Sequence, residues 1–339
     1  MIYYLVTPDG KNAMEQYVNS WGPEPGSRIR FLLYEELPGL TALASGTYIF
    51  SDLERLSTLG LQVACQAWKA LSMGGSSVRL LNNPSRVLCR YDLLRTLFDE
   101  GKNLFKAIRA NEAFDSLHYP VFVREENAHT GSLTPLIHKQ QELVSELRSL
   151  QVKGYRLHDL LVVEFCDTSD AAGVFRKYSA FIVGGEIIPR HVIFSRHWNV
   201  KKPDLTDSNL TGLQEEYLSE NPHKGWLQET FKLSGIEYGR IDYSLMGNTP
   251  QVWEINTNPT VRKLTPRLTS AFEAIDQPVD SSPSIPFEVN QDLIKALAME
   301  KRQRRKALRF QKLVSGLTGN QLIRPMIPVM KSLIRSLSK

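Results

Sequence analysis

Gly239-Arg240-Ile241-Asp242-Tyr243-Ser244, followed closely by Gln251-Val252-Trp253-Glu254-Ile255-Asn256-Thr257-Asn258-Pro259, decides how this chain is read. Ile241, Tyr243 and Leu245 alternate with Arg240, Asp242 and Ser244, and Val252, Glu254 and Asn256 recur at the same period of two. Between the two runs, Gly247-Asn248-Thr249-Pro250 is turn chemistry, so the stretch predicts an antiparallel hairpin. Side chains two apart on a strand share a face, which sends Glu254 and Asn256 the same way and lets Asp242 oppose them from the paired strand. Two carboxylates held that close repel each other unless a cation or a proton lies between them. Oxygen ligands without a neighbouring His or Cys favour magnesium, which keeps waters and borrows ligands from substrate phosphates. The plainer alternative is a hairpin whose acids face solvent and whose Asn-Pro caps a turn.

Gly-Arg-Ile-Asp-Tyr followed by Glu-Ile-Asn-Thr-Asn-Pro resembles the metal-binding end of the ATP-grasp fold, the fold of many ATP-dependent carboxylate-amine ligases. The resemblance implies an α/β chain whose two lobes clasp ATP. It also implies that Asp242, Glu254 and Asn256 hold magnesium, or manganese as a substitute, against the ATP phosphates. Residues 119–125 resemble the strand on which the family places a cation for the phosphates. That cation is commonly lysine and is Arg124 here, which brings charge and a planar fork of donors in a different geometry. Arg90 is a second candidate cation. The family's phosphate-covering loop corresponds to residues 126–132, where His129 and Gly131 are the candidates.

Residues 159–167 form a short apolar run of strand length that ends in polar residues. The resemblance places the hinge between the lobes at its end, where Glu164, Phe165 and Cys166 read adenine and an acid just beyond binds ribose. Asp167 and Asp170 both suit that role, and the sequence does not choose between them. Residues 175–189 read as a second hairpin with a glycine turn. Lys177, Ser179, Phe181 and Val183 share one face and Arg176 lies on the other, so one of the two cations points inward, with Lys177 the choice. Residues 190–202 then concentrate cations, imidazoles and a tryptophan. Arginine recognises carboxylate and phosphate through paired hydrogen bonds, so Arg196 is a candidate for holding an anionic substrate or acyl phosphate. The plainer alternative is a strand followed by a solvated basic loop. A zinc site at His191 and His197 lacks further Cys or His at ligand spacing.

The chain has 339 residues, 42% of them hydrophobic, enough for a large core divided among several units. Residues 1–85 alternate strands with helical stretches, including a helix expected over 52–73, and suggest a small parallel sheet. Residues 86–275 are expected to form the nucleotide-binding lobes, with helical spacing over 86–111, and residues 276–339 a linker and a basic helical tail. Residues 301–339 hold eleven Lys and Arg and no Asp or Glu, so the first 300 carry 30 basic against 36 acidic side chains, net −6. The basic character belongs to the tail, whose amphipathic spacing suits an anionic membrane surface or a protein partner; nucleic acid is disfavoured because aromatic residues are not interleaved. Three cysteines, no membrane-length apolar run and no leader pattern point to the cytoplasm, with peripheral attachment at the inner membrane surface open. The oligomeric state is equally open. The expected activity is activation of a carboxylate as an acyl phosphate for attack by an amine or other nucleophilic acceptor. The alternatives are a small-molecule kinase and a nucleotide-binding regulator or scaffold.

Overall fold

The computed structural model spans the chain and describes residues 1–20, 28–128, 131–205, 207–261, 265–276 and 284–316. In chain order the strands are β1 (Ile2–Val6), β2 (Ile29–Leu33), β3 (Ala42–Leu43), β4 (Gly46–Phe50), β5 (Val78–Leu81), β6 (Ala107–Arg109), β7 (Val121–Glu125), β8 (Leu160–Glu164), β9 (Phe175–Val183), β10 (Glu186–Ser195), β11 (Tyr238–Met246), β12 (Thr249–Asn256) and β13 (Ile285–Pro286). The chain is mixed α/β and falls into two compact units. One joins Met1–Leu93 to Asp167–Asn290, and the other joins Leu94–Cys166 to the chain from Gln291 on.

The first unit holds a parallel sheet in the order β2-β1-β4-β5. Its central strands are nearly continuous apolar runs, with β4 buried throughout, as a parallel sheet covered on both faces requires. The crossover from β4 to β5 runs through the helix Thr58–Leu71, which buries Val63, Ala64, Ala67 and Leu71 along one stripe. This helix begins later than the expected residue 52, because Asp52 takes a left-handed φ of 58° and the Ser57 side chain caps the helix by accepting from Gly60 N–H. The helix expected over 86–111 is also shorter: it spans Arg90–Asp99, ends at Gly101 with φ +65°, and gives way to β6.

The same unit contains an antiparallel sheet in the order β10-β9-β11-β12. Gly184 and Gly185, both at positive φ, turn β9 into β10. Gly247, with φ +60°, opens a turn of only Gly247-Asn248, so Thr249 and Pro250 belong to β12, whose place at the sheet edge tolerates a proline. One core joins the two sheets: Tyr4, Val6 and Ile49 pack with Phe181, Val183, Ile188 and Tyr238, and with Leu268, Phe272 and Ile275 of the helix Pro266–Ile275. Asn82, fully buried, clamps the sheets by polar contacts. Its Nδ2 donates to Phe50 O (3.1 Å) and Tyr238 O (2.8 Å), and its Oδ1 accepts from Glu237 N (2.8 Å) and Tyr238 N (2.9 Å). The chain returns to this unit late: Ile285 pairs with Leu43, Phe287 N donates to Thr41 O (3.0 Å), and Phe287 and Val289 are buried.

The second unit holds a three-stranded antiparallel sheet in the order β6-β8-β7. Val121, Val123, Leu160 and Val162 of this sheet pack against Leu143, Leu147 and Leu150, a stripe of the helix Gln140–Val152. The helix Gln291–Gly316 belongs to the same unit; Lys301, Arg302, Arg305 and Lys306 on it are exposed.

Candidate functional site

In the first unit Asp242 and Glu254 are direct register partners across β11 and β12, and Asn256 lies opposite Arg240. A β-bulge follows Asp242, the kind of local kink that re-aims a side chain near a site. On the other side of β11, Ser179 of β9 is the partner of Asp242 and donates its hydroxyl to Asp242 Oδ1 (2.9 Å). Lys177 Nζ lies 3.4 Å from Asp242 Oδ2 and Arg240 Nε lies 3.3 Å from Asp242 Oδ1. Arg90, 6% exposed, forms an ion pair with Glu254. Burial pushes the Asp242 carboxyl up, but the Arg240 and Lys177 charges and the Ser179 hydroxyl outweigh it, and the group sits below the usual carboxylate range. It is therefore ionised at neutral pH.

His191, the partner of Ser179 on β10, is pulled down to about 4 by burial, opposed by Asp242 and reinforced by Arg190, Arg240 and Lys177. It is neutral at pH 7. Three cations thus surround two carboxylates, a surplus of positive charge suited to a polyanion. The donor set fits magnesium: two opposed carboxylates and the amide oxygen of Asn256 are hard ligands. Behind this face Tyr178 stacks on Tyr243, and His223 Nδ1 lies 2.7 Å from the Tyr243 hydroxyl, which donates to Tyr217 (3.3 Å). Trp226 packs on the same ring, so β11 rests on a rigid aromatic layer.

Lys177 and Arg176 part as their alternation requires: Lys177 reaches Asp242, whereas Arg176 donates to Asp170 (2.6 Å). Asp170 also accepts from Ala172 N (2.9 Å) and Val174 N (3.0 Å), so its carboxylate caps its own turn. The Val174 N–H is the main cause of its lowered pKa; burial opposes it, and Ala172 N–H, Arg176 and Arg196 add to the lowering. Asp167 Oδ1 is likewise engaged, by Ser169 N (3.0 Å) and Oγ (2.7 Å). Arg196 is exposed and donates to Ala172 O (3.3 Å), which places it by the Asp170 turn. Asp204 holds the start of the basic segment, accepting from Ser195 Oγ (2.9 Å) and Arg196 N (3.1 Å).

In the second unit Arg124 lies on β7, paired with Leu161 of β8, and bridges to Ser132. Gly131 has φ +88°, a conformation that favours glycine; His129 lies outside the described residues. Glu164, at the end of β8, is 4% exposed, and its carboxylate braces the unit from within. It accepts from Lys106 N (2.8 Å) and His118 N (2.7 Å), with His118 Nδ1 at 3.1 Å. Phe165 N donates to Pro120 O (2.9 Å), and Cys166 is buried.

Arg240 is a site residue that sequence reasoning misses, although it stands two before Asp242 in the same alternation and so shares its face. Alternation puts Ser179 on the right face without giving it a role. Arg90 and Glu254 lie 164 residues apart, and no local spacing announces their pairing.

No protein-family model and no curated protein matches the chain. Among solved structures it is similar to D-alanine–D-alanine ligase from Bacillus anthracis complexed with ATP, at 13% identity and TM-score 0.47 over 80% of this chain and 91% of that one. It is also similar to N5-carboxyaminoimidazole ribonucleotide synthetase from Thermotoga maritima, at 12% identity and TM-score 0.45 over 84% and 78%. A third is the RimK domain protein ATP-grasp from Sphaerobacter thermophilus, at 13% identity and TM-score 0.40 over 81% and 98%.

Proposed function

We propose that this chain is an ATP- and magnesium-dependent ligase of the ATP-grasp kind, which converts a substrate carboxylate to an acyl phosphate and lets an amine displace phosphate from it. The observation that carries the proposal is the opposed pair Asp242 and Glu254, ringed by Arg90, Lys177 and Arg240. An acidic metal site and a cationic phosphate site are superposed there, as transfer of a phosphoryl group requires.

In this proposal Asp242, Glu254 and Asn256 hold magnesium, which when bound neutralises charge on the phosphate oxygens. Lys177 and Arg240, both beside Asp242, are proposed to offset the charge that develops as the γ-phosphoryl passes from ATP to the carboxylate and ADP leaves. The acceptor amine then attacks the acyl carbon, the C–O bond to phosphate breaks, and the products are an amide, ADP and phosphate. Arg124 and the backbone around Gly131, with His129, are the proposed phosphate contacts of the second unit. The backbone of Glu164, Phe165 and Cys166 is proposed for adenine and Asp167 or Asp170 for ribose; both carboxylates now cap their own turns, so ribose binding would share or replace those bonds. The exposed Lys301, Arg302, Arg305 and Lys306 are proposed to meet an anionic surface, a membrane or an acidic protein.

Calorimetric titration of a slowly hydrolysed ATP analogue tests the proposal. Binding is expected to depend on magnesium; binding indifferent to magnesium, or none, removes it. Arg196→Ala and Lys201→Ala, both at exposed positions of the basic segment, are expected to leave that binding within about twofold and to weaken the anionic co-substrate by about tenfold, the loss of one charge-assisted contact. Collapse of nucleotide binding with unchanged co-substrate affinity would move the segment into the nucleotide site.

A further inference from the structure

Asn256 is the last residue of β12, and β12 is the edge of its sheet, so the ladder alone holds this end of the strand from one side only. Beyond Asn256 the chain is sewn to the parallel sheet. Asn258, 5% exposed, accepts from the Tyr4 hydroxyl at Oδ1 (2.8 Å) and donates from Nδ2 to Gly10 O (2.9 Å). Its backbone N–H donates to Asn256 Oδ1 (2.7 Å). Thr257 Oγ1 accepts from Leu53 N (3.2 Å) and donates to Glu54 Oε2 (2.5 Å), a tie to the loop after β4. The loop after β1 is itself fixed: fully buried Asp52 accepts from Thr7 N (3.2 Å) and from the Thr7 hydroxyl. Gly10 is there because of close approach, since a Cβ would come within 2.1 Å of Asp52 Oδ2 and 2.7 Å of Asn258 Nδ2.

We infer that Asn258 is a positioning residue for the metal site: its side chain locks the end of β12 to the Thr7–Gly10 loop, and its backbone N–H then fixes the amide oxygen of Asn256 toward the ion. An amide oxygen has two lone pairs, so accepting from Asn258 N–H leaves one for a metal and selects the orientation of the group. The bond that orients the ligand is a backbone bond. Replacing the Asn258 side chain therefore leaves the donor in place and removes only what holds it in position. This inference rests on the proposal that Asp242, Glu254 and Asn256 bind magnesium.

Manganese binding, measured by electron paramagnetic resonance on the full chain below its melting temperature, tests the inference without reference to turnover. Asn258→Ala is expected to weaken manganese by about tenfold or more, the usual loss when a residue orienting a ligand is removed, while the far-ultraviolet circular dichroism is kept. Tyr4→Phe, which removes one of the two anchors, is expected to weaken it severalfold. If Asn258→Ala does not fold, Tyr4→Phe decides alone. Wild-type affinity in the folded variants overturns the lock. Glu254→Gln is the separate control: if it too binds manganese as wild type does, the metal assignment fails rather than the lock.

Discussion

Glu254→Gln and Asp242→Asn are expected to lower magnesium-dependent ATP consumption by about 100-fold or more, comparable to the loss of a preorganised charge contact at a reacting centre. Neither change alters side-chain volume much, but neither is silent for the fold. Glu254→Gln leaves Arg90, 6% exposed, facing a neutral amide. Asp242→Asn leaves Lys177 and Arg240 close together without their counter-ion. Breaking a buried pair by removing one partner costs about 3–5 kcal/mol, so both variants should fold at about 20 °C and melt earlier than the parent. Magnesium with nucleotide should restore less of that melting temperature than in the parent, because stabilisation by a ligand follows its affinity. Wild-type ATP consumption in either variant would show that these acids do not hold the ion.

Asn82→Ala is expected to cost about 3–5 kcal/mol of stability, large for a single polar substitution, because several buried backbone groups lose their partner at once. Four bonds from one amide join Phe50 of the parallel sheet to Glu237 and Tyr238 at the start of β11. The backbone at Asn82 has φ +66°, where alanine adds strain that asparagine tolerates better. Asn82→Gly relieves the strain and keeps the hydrogen-bond loss, so the difference between the two variants in chemical denaturation isolates the backbone contribution. A loss below about 1 kcal/mol in both would mean that water satisfies these groups and that the clamp is unimportant.

Period-two alternation makes the hairpin of β11 and β12 legible, since a two-residue periodicity fixes both the strand and the face of Asp242, Glu254 and Asn256. The parallel sheet is legible for a similar reason: short apolar runs at β1, β4 and β5, separated by helical stretches, leave few other arrangements. Boundaries are less visible. The helix before β5 starts at Thr58, where Ser57 caps it, while Asp52, at left-handed φ, spends its carboxylate on Thr7, a contact 45 residues distant that no local propensity encodes. The same limit hides Arg90, Asn82 and Asn258, each of which acts through partners more than 150 residues away. Arg240 is within reach of the alternation and shows that a cation two residues from a metal-ligand candidate belongs with its site. The acids at 164 and 170 carry a signal for polarity but not for direction. Glu164 turns inward to brace Lys106 and His118, and Asp170 turns back on its own loop.

The central claim is that ATP activates a carboxylate as an acyl phosphate, and the fate of the carboxylate oxygen tests it most directly. The protein is incubated with ATP, magnesium, a pool of carboxylates labelled with oxygen-18, and hydroxylamine as a general acceptor. ADP, hydroxamate and inorganic phosphate carrying one labelled oxygen are expected, because the oxygen that attacks the γ-phosphorus leaves with it when the acyl carbon is attacked. Unlabelled phosphate, release of AMP and pyrophosphate, or a stable phosphorylated alcohol in place of a hydroxamate would contradict it.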